Sequence, residues 1–442
     1  MRDKKVAVGL HAFGGSVALV AQELGFEIAA ILDSRGGRLS RSNSIYARVC
    51  ERTFGSANVH TDEHRQWKNT VTRLQKRGVD LLFGQPQFGG MNGMRREADP
   101  AASEQPDSIS LLGSDGEDFV RLAQELKPRA IVIFGTGKLQ SSGRKYIDML
   151  SSQLSEYRWS TMTTNAVLHG VPQDRRITVV VGARDFYFNP TIPMMIKPNE
   201  LPTCWSALAD LFQRYPDWDG REAAIMEIDG KEVTHHVIPQ RKDSLASQLL
   251  WGAADFLSEG QSLFDVRDLN QWPSIVRFKQ DRLGNQIPRL DPSSGKPAVR
   301  WEEDANGNLV LRGLMKGQLP VRLHPALPAP TIYGIERYIH PAANRPLSLR
   351  ELARLFCLPD DYYLGSYYQP AMKIVGSTVP LPVSRWVISD LLKSMVGKDP
   401  VSPPQPGAML FDIHATAALS EQKRVYTGKW VESYERKKSS GE

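Results

Sequence analysis

The apolar run Lys5–Leu10 ends in Leu10-His-Ala12-Phe13-Gly14-Gly15, and a helical pattern follows over Val17–Leu24. Glycines at a strand-to-helix turn let a ligand approach the backbone, and the first turn of the helix offers unpaired N–H groups. The next apolar run, Glu27–Leu32, is closed by Asp33. A carboxylate there can accept hydrogen bonds from both hydroxyls of a ribose. Together these features suit an adenosine-containing ligand; a purely structural glycine turn is the competing explanation. The turn lacks GxGxxG spacing, so a mononucleoside such as S-adenosylmethionine is expected in preference to a dinucleotide.

Other reactive residues are scattered. Cys50, Cys204 and Cys357 stand alone, with no CxxC pair. This excludes a disulfide framework and fits a reducing compartment. Cys50 lies in a helical stretch and is expected to be a buried structural thiol. His235-His236 has no further ligand at metal spacing, so a surface pair is expected and no metal. Trp301-Glu-Glu-Asp304 is expected to flank a hairpin.

The elements that position these residues alternate up to about residue 185. Apolar runs at Lys5–Leu10, Glu27–Leu32, Val79–Phe83, Ala130–Phe134 and Ile177–Gly182 read as strands. Helical spacing appears at His64–Arg77, Glu117–Leu126 and Arg144–Leu154. Each strand is continuously apolar, which predicts a parallel sheet covered on both faces. From 186 to 327 the alternation stops, and turn-rich Lys279–Gly307 suits hairpins. From 328 helices return at Ser348–Phe356 and Pro382–Met395. The biased, acid-rich stretch Asp99–Asp118 is expected to be mostly surface loop.

Composition limits the function classes. Of 442 residues, 41% are hydrophobic and 24% charged, which is globular and excludes wholesale disorder. The net charge of +6 permits a nucleic-acid partner without demanding one. Arg35, Arg38, Arg41, Arg48, Arg52, Arg65, Lys68, Arg73, Lys76 and Arg77 would make a strip facing nucleic acid or a partner, or a solvated face. No apolar run reaches the ~18 residues of a membrane span. A cytoplasmic protein with no membrane partner is expected.

Five ordered segments resemble the DNA (cytosine-5)-methyltransferase family. Leu10–Gly15 is similar to its FxGxGG loop, with Leu10 for Phe and Ala12 for the first Gly. Gly25–Asp33 resembles the segment ending in the ribose-binding acid. Thr164–Ile177 is close to LNAADYGVPQxRxR. Pro328–Tyr362, with Asn344-Arg-Pro-Leu-Ser-Leu-Arg-Glu-Leu-Ala-Arg-Leu355, matches the ninth motif. Lys373–Pro380 resembles the tenth, QIGNAVP, with Ser377-Thr378 for Asn-Ala. The resemblance implies a Rossmann-like class I methyltransferase α/β fold made from 1–185 and 328–442, with a target-recognition-like domain at 186–327. It implies S-adenosylmethionine as cofactor, held around Ala12, Phe13, Gly14, Gly15, Asp33, Gly84, Ser377 and Val379.

Three departures share one target, the cytosine ring. Family chemistry adds a thiolate to C6 so that C5 becomes nucleophilic. That thiol belongs to a Pro-Cys-Gln step; here Pro86 is followed by Gln87, and the cysteine is either replaced or deleted. Phe134 stands where the resemblance places a glutamate, and Ile177 where it places the second Arg of QxRxR. Gln173 and Arg175 remain. The expectation is therefore a catalytically inactive, diverged member. It would act as a DNA-binding module, or as a regulatory subunit beside an active methyltransferase in a restriction-modification type system. The alternatives are an active or partner-complemented transferase, and a structural protein that has lost both ligands.

Overall fold

The computed structural model describes residues 4–12, 14–32, 43–60, 64–86, 108–136, 147–191, 193, 200–212, 214–218, 225–228, 230–242, 244–281, 283–314, 316–365, 367–396 and 411–412. Eight strands precede residue 185: β1 (Lys5–Leu10), β2 (Phe26–Leu32), β3 (Val59–His60), β4 (Leu81–Gly84), β5 (Ala130–Thr136), β6 (Arg158–Asn165), β7 (Gln173–Asp174) and β8 (Arg176–Ala183). All but β7 join one sheet, in the order β6-β8-β5-β4-β1-β2-β3, with Phe411–Asp412 outside β6. The helices are α1 (Ser16–Glu23), α2 (Asn43–Phe54), α3 (His64–Arg77), α4 (Ser108–Leu126), α5 (147–153), α6 (Cys204–Phe212), α7 (Leu245–Ala254), α8 (Leu349–Arg354), α9 (Tyr368–Ser377) and α10 (Leu381–Val396).

Both sheet faces are covered. Alternate strand residues Ala7, Ile31, Leu81, Phe83, Val132 and Phe134 pack with α1, α2, α9 and α10. Val6, Val8, Leu10, Leu82, Ile131 and Ile133 pack with α3, α4 and α5. The period-two alternation sends each strand's apolar residues to two separate cores. This is the Rossmann-like α/β architecture. Among the described residues no helix is long and apolar enough to cross a membrane.

The sheet is mixed, not wholly parallel. Strands β1 to β5 run parallel, but β8 lies antiparallel between β5 and β6. The short connection from β6 to β8 forces this, because a parallel pair needs a long crossover. Strand β6 carries no apolar run. Its Thr161, Thr163, Thr164 and Asn165 are nevertheless buried, and Thr163 and Thr178 share a 3.0 Å hydroxyl contact across the strands.

Three further expectations are corrected. Residues 108–118 of the acid-rich stretch are helical, continuing into the amphipathic α4; 99–107 lie outside the described residues. The basic strip is divided, since α2 packs on one face of the sheet and α3 on the other, and Arg35, Arg38 and Arg41 lie outside the described residues. His235 and His236 are buried. His236 Nδ1 meets the Ser348 hydroxyl at 2.8 Å, and its Nε2 meets the Arg214 carbonyl at 3.0 Å.

Between 186 and 327 the chain forms α6, α7 and short strand pairs; α7 packs in a core containing Leu249, Leu250, Trp272 and Leu319, whereas Cys204 and Leu208 of α6 join the core that covers one face of the sheet. Two hairpins occupy the turn-rich stretch, Phe278–Gln280 with Gln286–Pro288 and Arg300–Glu303 with Leu309–Arg312. Their tips are built alike: Asp281 and Asp304 each accept the amides two and four residues on.

Buried charge ties this segment to the region around α8. Arg350 donates to the Thr234 carbonyl at 2.7 Å, the Thr234 hydroxyl at 2.8 Å and the Tyr362 carbonyl at 2.8 Å. Glu351 takes a bidentate pair from Arg345 at 2.8 and 2.7 Å and the Ser348 amide at 2.7 Å. Burial works to raise the Glu351 carboxyl, but Arg345 and the adjacent histidines hold it at about 2. Removing one partner of such a pair leaves the other buried and uncompensated. Glu351→Ala is therefore predicted to cost about 3–5 kcal/mol, measured by urea unfolding.

A pH dependence follows from the same region. Burial lowers His235 and His340 from 6.5 to about 4. The unfolded chain thus binds protons in a range where the native chain does not, and stability falls as pH drops. The loss from these two groups is predicted to begin near pH 6.5 and to saturate near pH 4. Glu351, lowered from 4.5 to about 2, extends the loss below that window. Thermal melts at pH 7.5, 5.5 and 4.5 check this, with Tm decreasing in that order.

Candidate functional site

The carboxyl ends of β1, β2 and β4 lie level, with Leu10 opposite both Leu32 and Gly84. Ligands of open α/β sheets bind beyond this edge. His11 continues the register by donating its amide to the Leu32 carbonyl at 2.9 Å. Gly84 tolerates no side chain, because an added Cβ would lie 2.1 Å from the Leu10 carbonyl oxygen.

The glycine turn is held from two sides. Gly15 has φ +82° and caps α1, and a Cβ there would strike the Phe54 ring at 2.7 Å. A Cβ on Gly14 would meet Ile374 of α9 at 2.5 Å. The buried Tyr362 hydroxyl donates to the Gly14 carbonyl, and burial raises its pKa well above the usual range. No side chain caps the N-terminus of α1, so its first-turn amides have no side-chain acceptor.

Ala12, Gly14, Gly15, Gly84, Ser377 and Val379 thus converge at one edge. Ala12 and Val379 are buried there. The Ser377 carbonyl accepts Gln85 Nε2 at 2.9 Å, which ties the segment after β4 to the end of α9. Phe13 and Asp33 lie outside the described residues. The uncapped N-terminus of α1 fits a cofactor that carries a carboxylate.

The cytosine-facing candidates have a different character. Pro86 is buried, and Gln87 lies outside the described residues. Phe134 is 1% exposed, pairs with Val179, and belongs to the same core as Ala12, Phe83 and Met162. Ile177 is 3% exposed, between Thr136 of β5 and Thr164 of β6.

Gln173 and Arg175 are bound to backbone. Fully buried Gln173 accepts the Ile332 amide at 3.2 Å and donates to the Leu355 carbonyl at 3.2 Å. Arg175 donates to the Ile332 and Gly376 carbonyls, each at 3.1 Å, and lies 5.3 Å from the Phe356 ring centroid. Burial lowers its pKa to about 10, so it remains charged at neutral pH. With the pairing of β7 to Ala329–Pro330, these contacts fasten the later part of the chain onto the sheet.

The three thiols do not form a reactive centre. Cys50 is buried in the core beneath Gly15 and Phe54. Burial raises Cys204 to about 12 and Cys357 to about 11, so neither carries thiolate at neutral pH. No cluster of three or more metal-ligating side chains occurs among the described residues. Sequence reasoning missed Tyr362, Gln85 and Ile374, which hold the glycine turn and the end of α9. Tyr362 had a signal, because it closes the ninth-motif segment Pro328–Tyr362.

The family model for C-5 cytosine-specific DNA methylases matches residues 117–393. Type II methyltransferase M.XorII of Xanthomonas oryzae pv. oryzae is 23% identical over 416 residues, covering 92% of this chain and 88% of that protein. Type II methyltransferase M.DdeI of Desulfomicrobium norvegicum is 24% identical over 298 residues, covering 64% and 63%. A solved structure assigned as a DNA modification methyltransferase encoded within a prophage, from E. coli, superposes with a TM-score of 0.58 at 15% identity. It covers 88% of this chain and 99% of that one, and shows the shared fold. With the ordered motifs and the Rossmann-like sheet in place, the chain belongs to the C-5 cytosine-specific DNA methylase family, whose members take S-adenosylmethionine as cofactor.

Proposed function

We propose that this chain is a catalytically inactive member of the family that works by binding DNA, as a regulatory or partner subunit of a type II modification system. The carrying observation is the enclosure of Phe134, near the carboxyl end of β5, and Ile177, at the amino end of the antiparallel β8, in one apolar core. A general acid aimed at the base and a guanidinium anchoring it are replaced there by hydrocarbon. Pro86 is followed by a carboxamide at Gln87, which cannot add to a pyrimidine. Loss of a nucleophile alone costs on the order of 10⁴–10⁶ in rate by analogy with other covalent enzymes.

On this reading the cofactor edge and the catalytic edge have separate fates. The backbone of Ala12–Gly15, the amides of α1, Asp33 and Val379 would hold S-adenosylmethionine. That cofactor supplies a transferable methyl group when bound. Gly14, Gly15 and Gly84 also serve close contacts within the protein, so their presence does not depend on methyl transfer. Residues 186–327 would be the recognition part, inserted between the two portions 1–185 and 328–442 of the methyltransferase-like domain. A DNA partner fits the net charge of +6 and the family. The restriction-modification setting is taken from the names of the type II relatives.

Two measurements test the reading. An electrophoretic shift with mixed-sequence duplex is expected at low salt, weakening as salt rises; no shift at low salt overturns the DNA claim. Gln87→Cys is predicted to leave tritiated-methyl incorporation at background, since Phe134 and Ile177 persist. Activity recovered by that single change would mean the rest of the catalytic site is intact.

A further inference from the structure

Helix α3 carries no acidic residue along its 14 positions. Trp67, Thr70, Val71 and Leu74 turn inward against the sheet, which leaves Lys68, Asn69, Thr72, Arg73, Gln75, Lys76 and Arg77 exposed. Asn69, Thr72, Arg73 and Lys76 fall at i, i+3, i+4 and i+7, and so form one stripe. With Arg77 they line an open depression of about 450 Å³. Arg77 is engaged by Glu27. Lys68 borders a different groove beside Asp118 and Glu125. Arg73 and Lys76 make no ion pair with a described carboxylate.

The geometry points to this stripe as a second surface for the phosphate backbone of duplex DNA, outside the candidate site. Its position follows from topology. Helix α3 connects β3 to the parallel β4 and must run back along the sheet, and its last residue meets Glu27 at the start of β2. The stripe therefore leads from the edge holding the candidate site toward the opposite edge.

Its composition selects the partner. No exposed large hydrophobic side chain belongs to α3. A protein interface needs apolar or aromatic anchors at its centre. Cations interleaved with amide and hydroxyl donors are the groups that contact phosphate oxygens. From Asn69 to Lys76 the rise is about 10 Å, about three 3.4 Å steps of one DNA strand. Such a surface reads no sequence; it adds affinity and salt dependence.

The inference rests on the DNA-binding reading, and anisotropy with a 30-base-pair mixed-sequence duplex separates the two. Each phosphate contact contributes about 0.9 to the slope of log affinity against log salt. The double variant Arg73→Gln/Lys76→Gln is expected to lower that slope by about 2, and affinity near 0.1 M salt by roughly 50- to 100-fold. Arg73→Lys/Lys76→Arg, which keeps both charges, is expected to match the unaltered chain. A double variant with unchanged slope and affinity, in a chain that does bind duplex, overturns the α3 surface alone. An unaltered chain that binds no duplex at low salt overturns both readings. If the double variant instead loses a protein partner while its DNA affinity stands, the surface belongs to that protein and the assignment fails.

Discussion

A charge taken out of water must be paired or hydrogen-bonded, or it costs several kcal/mol. That constraint accounts for the buried ions of this chain and for the hydrocarbon at Phe134 and Ile177, which the proposed reading places at catalytic positions. Arg322 sits in a ring of acceptors, with Leu257 O at 2.7 Å, Ala343 O at 2.9 Å, His340 O at 3.0 Å and Asn344 Oδ1 at 2.8 Å. Arg345 has Glu351, and Arg350 has Thr234 and Tyr362. Arg175 has the Ile332 and Gly376 carbonyls. Each ion is part of the framework. Phe134 and Ile177 meet the same constraint in the other way, by being hydrocarbon.

On the proposed reading, the consequence is a separation of scaffold from chemistry. A glutamate or arginine kept for catalysis at the ends of β5 and β8 would need a substrate or water to satisfy it. Phe134 and Ile177 need neither, and they join the core formed with Val179, Met162 and Phe83. The ninth-motif charges cannot be dropped in the same way. Glu351 and Arg345 are coupled to each other, and Arg350 reaches across to the chain at Thr234. The retained family residues therefore gather where they hold the later part of the chain to the sheet. Gln173 and Arg175 belong to that group by their contacts.

Much of this was legible in the residues. Continuous apolar runs announced β1, β2, β4, β5 and β8, and Trp67, Val71 and Leu74 marked the inner face of α3, with Gly78 at φ +72° just past its end. Strand β6 was not legible, because its buried residues are threonines and an asparagine satisfied across the sheet. The antiparallel placement of β8 was hidden with it. His235 and His236 looked like surface residues, because their partners are far along the chain: Ser348 for His236, and the amide of Leu364, 3.4 Å from His235 Nε2. The basic residues of α2 and α3 are neighbours in sequence yet lie on opposite faces, a division set by β3 and by the inward stripe of each helix. The glycine turn was legible as a strand-to-helix turn, but Tyr362, Ile374 and Phe54, which hold it, come from three other places in the chain.

Methyl transfer by the unaltered chain is the most direct measure of the central claim. Purified protein in excess over mixed-sequence duplex, with tritiated S-adenosylmethionine and long incubation, leaves slow turnover nowhere to hide. The account predicts label in DNA no higher than in a protein-free control, with S-adenosylmethionine binding scored separately by calorimetry. Label incorporated at carbon 5 of cytosine by this chain alone would contradict it.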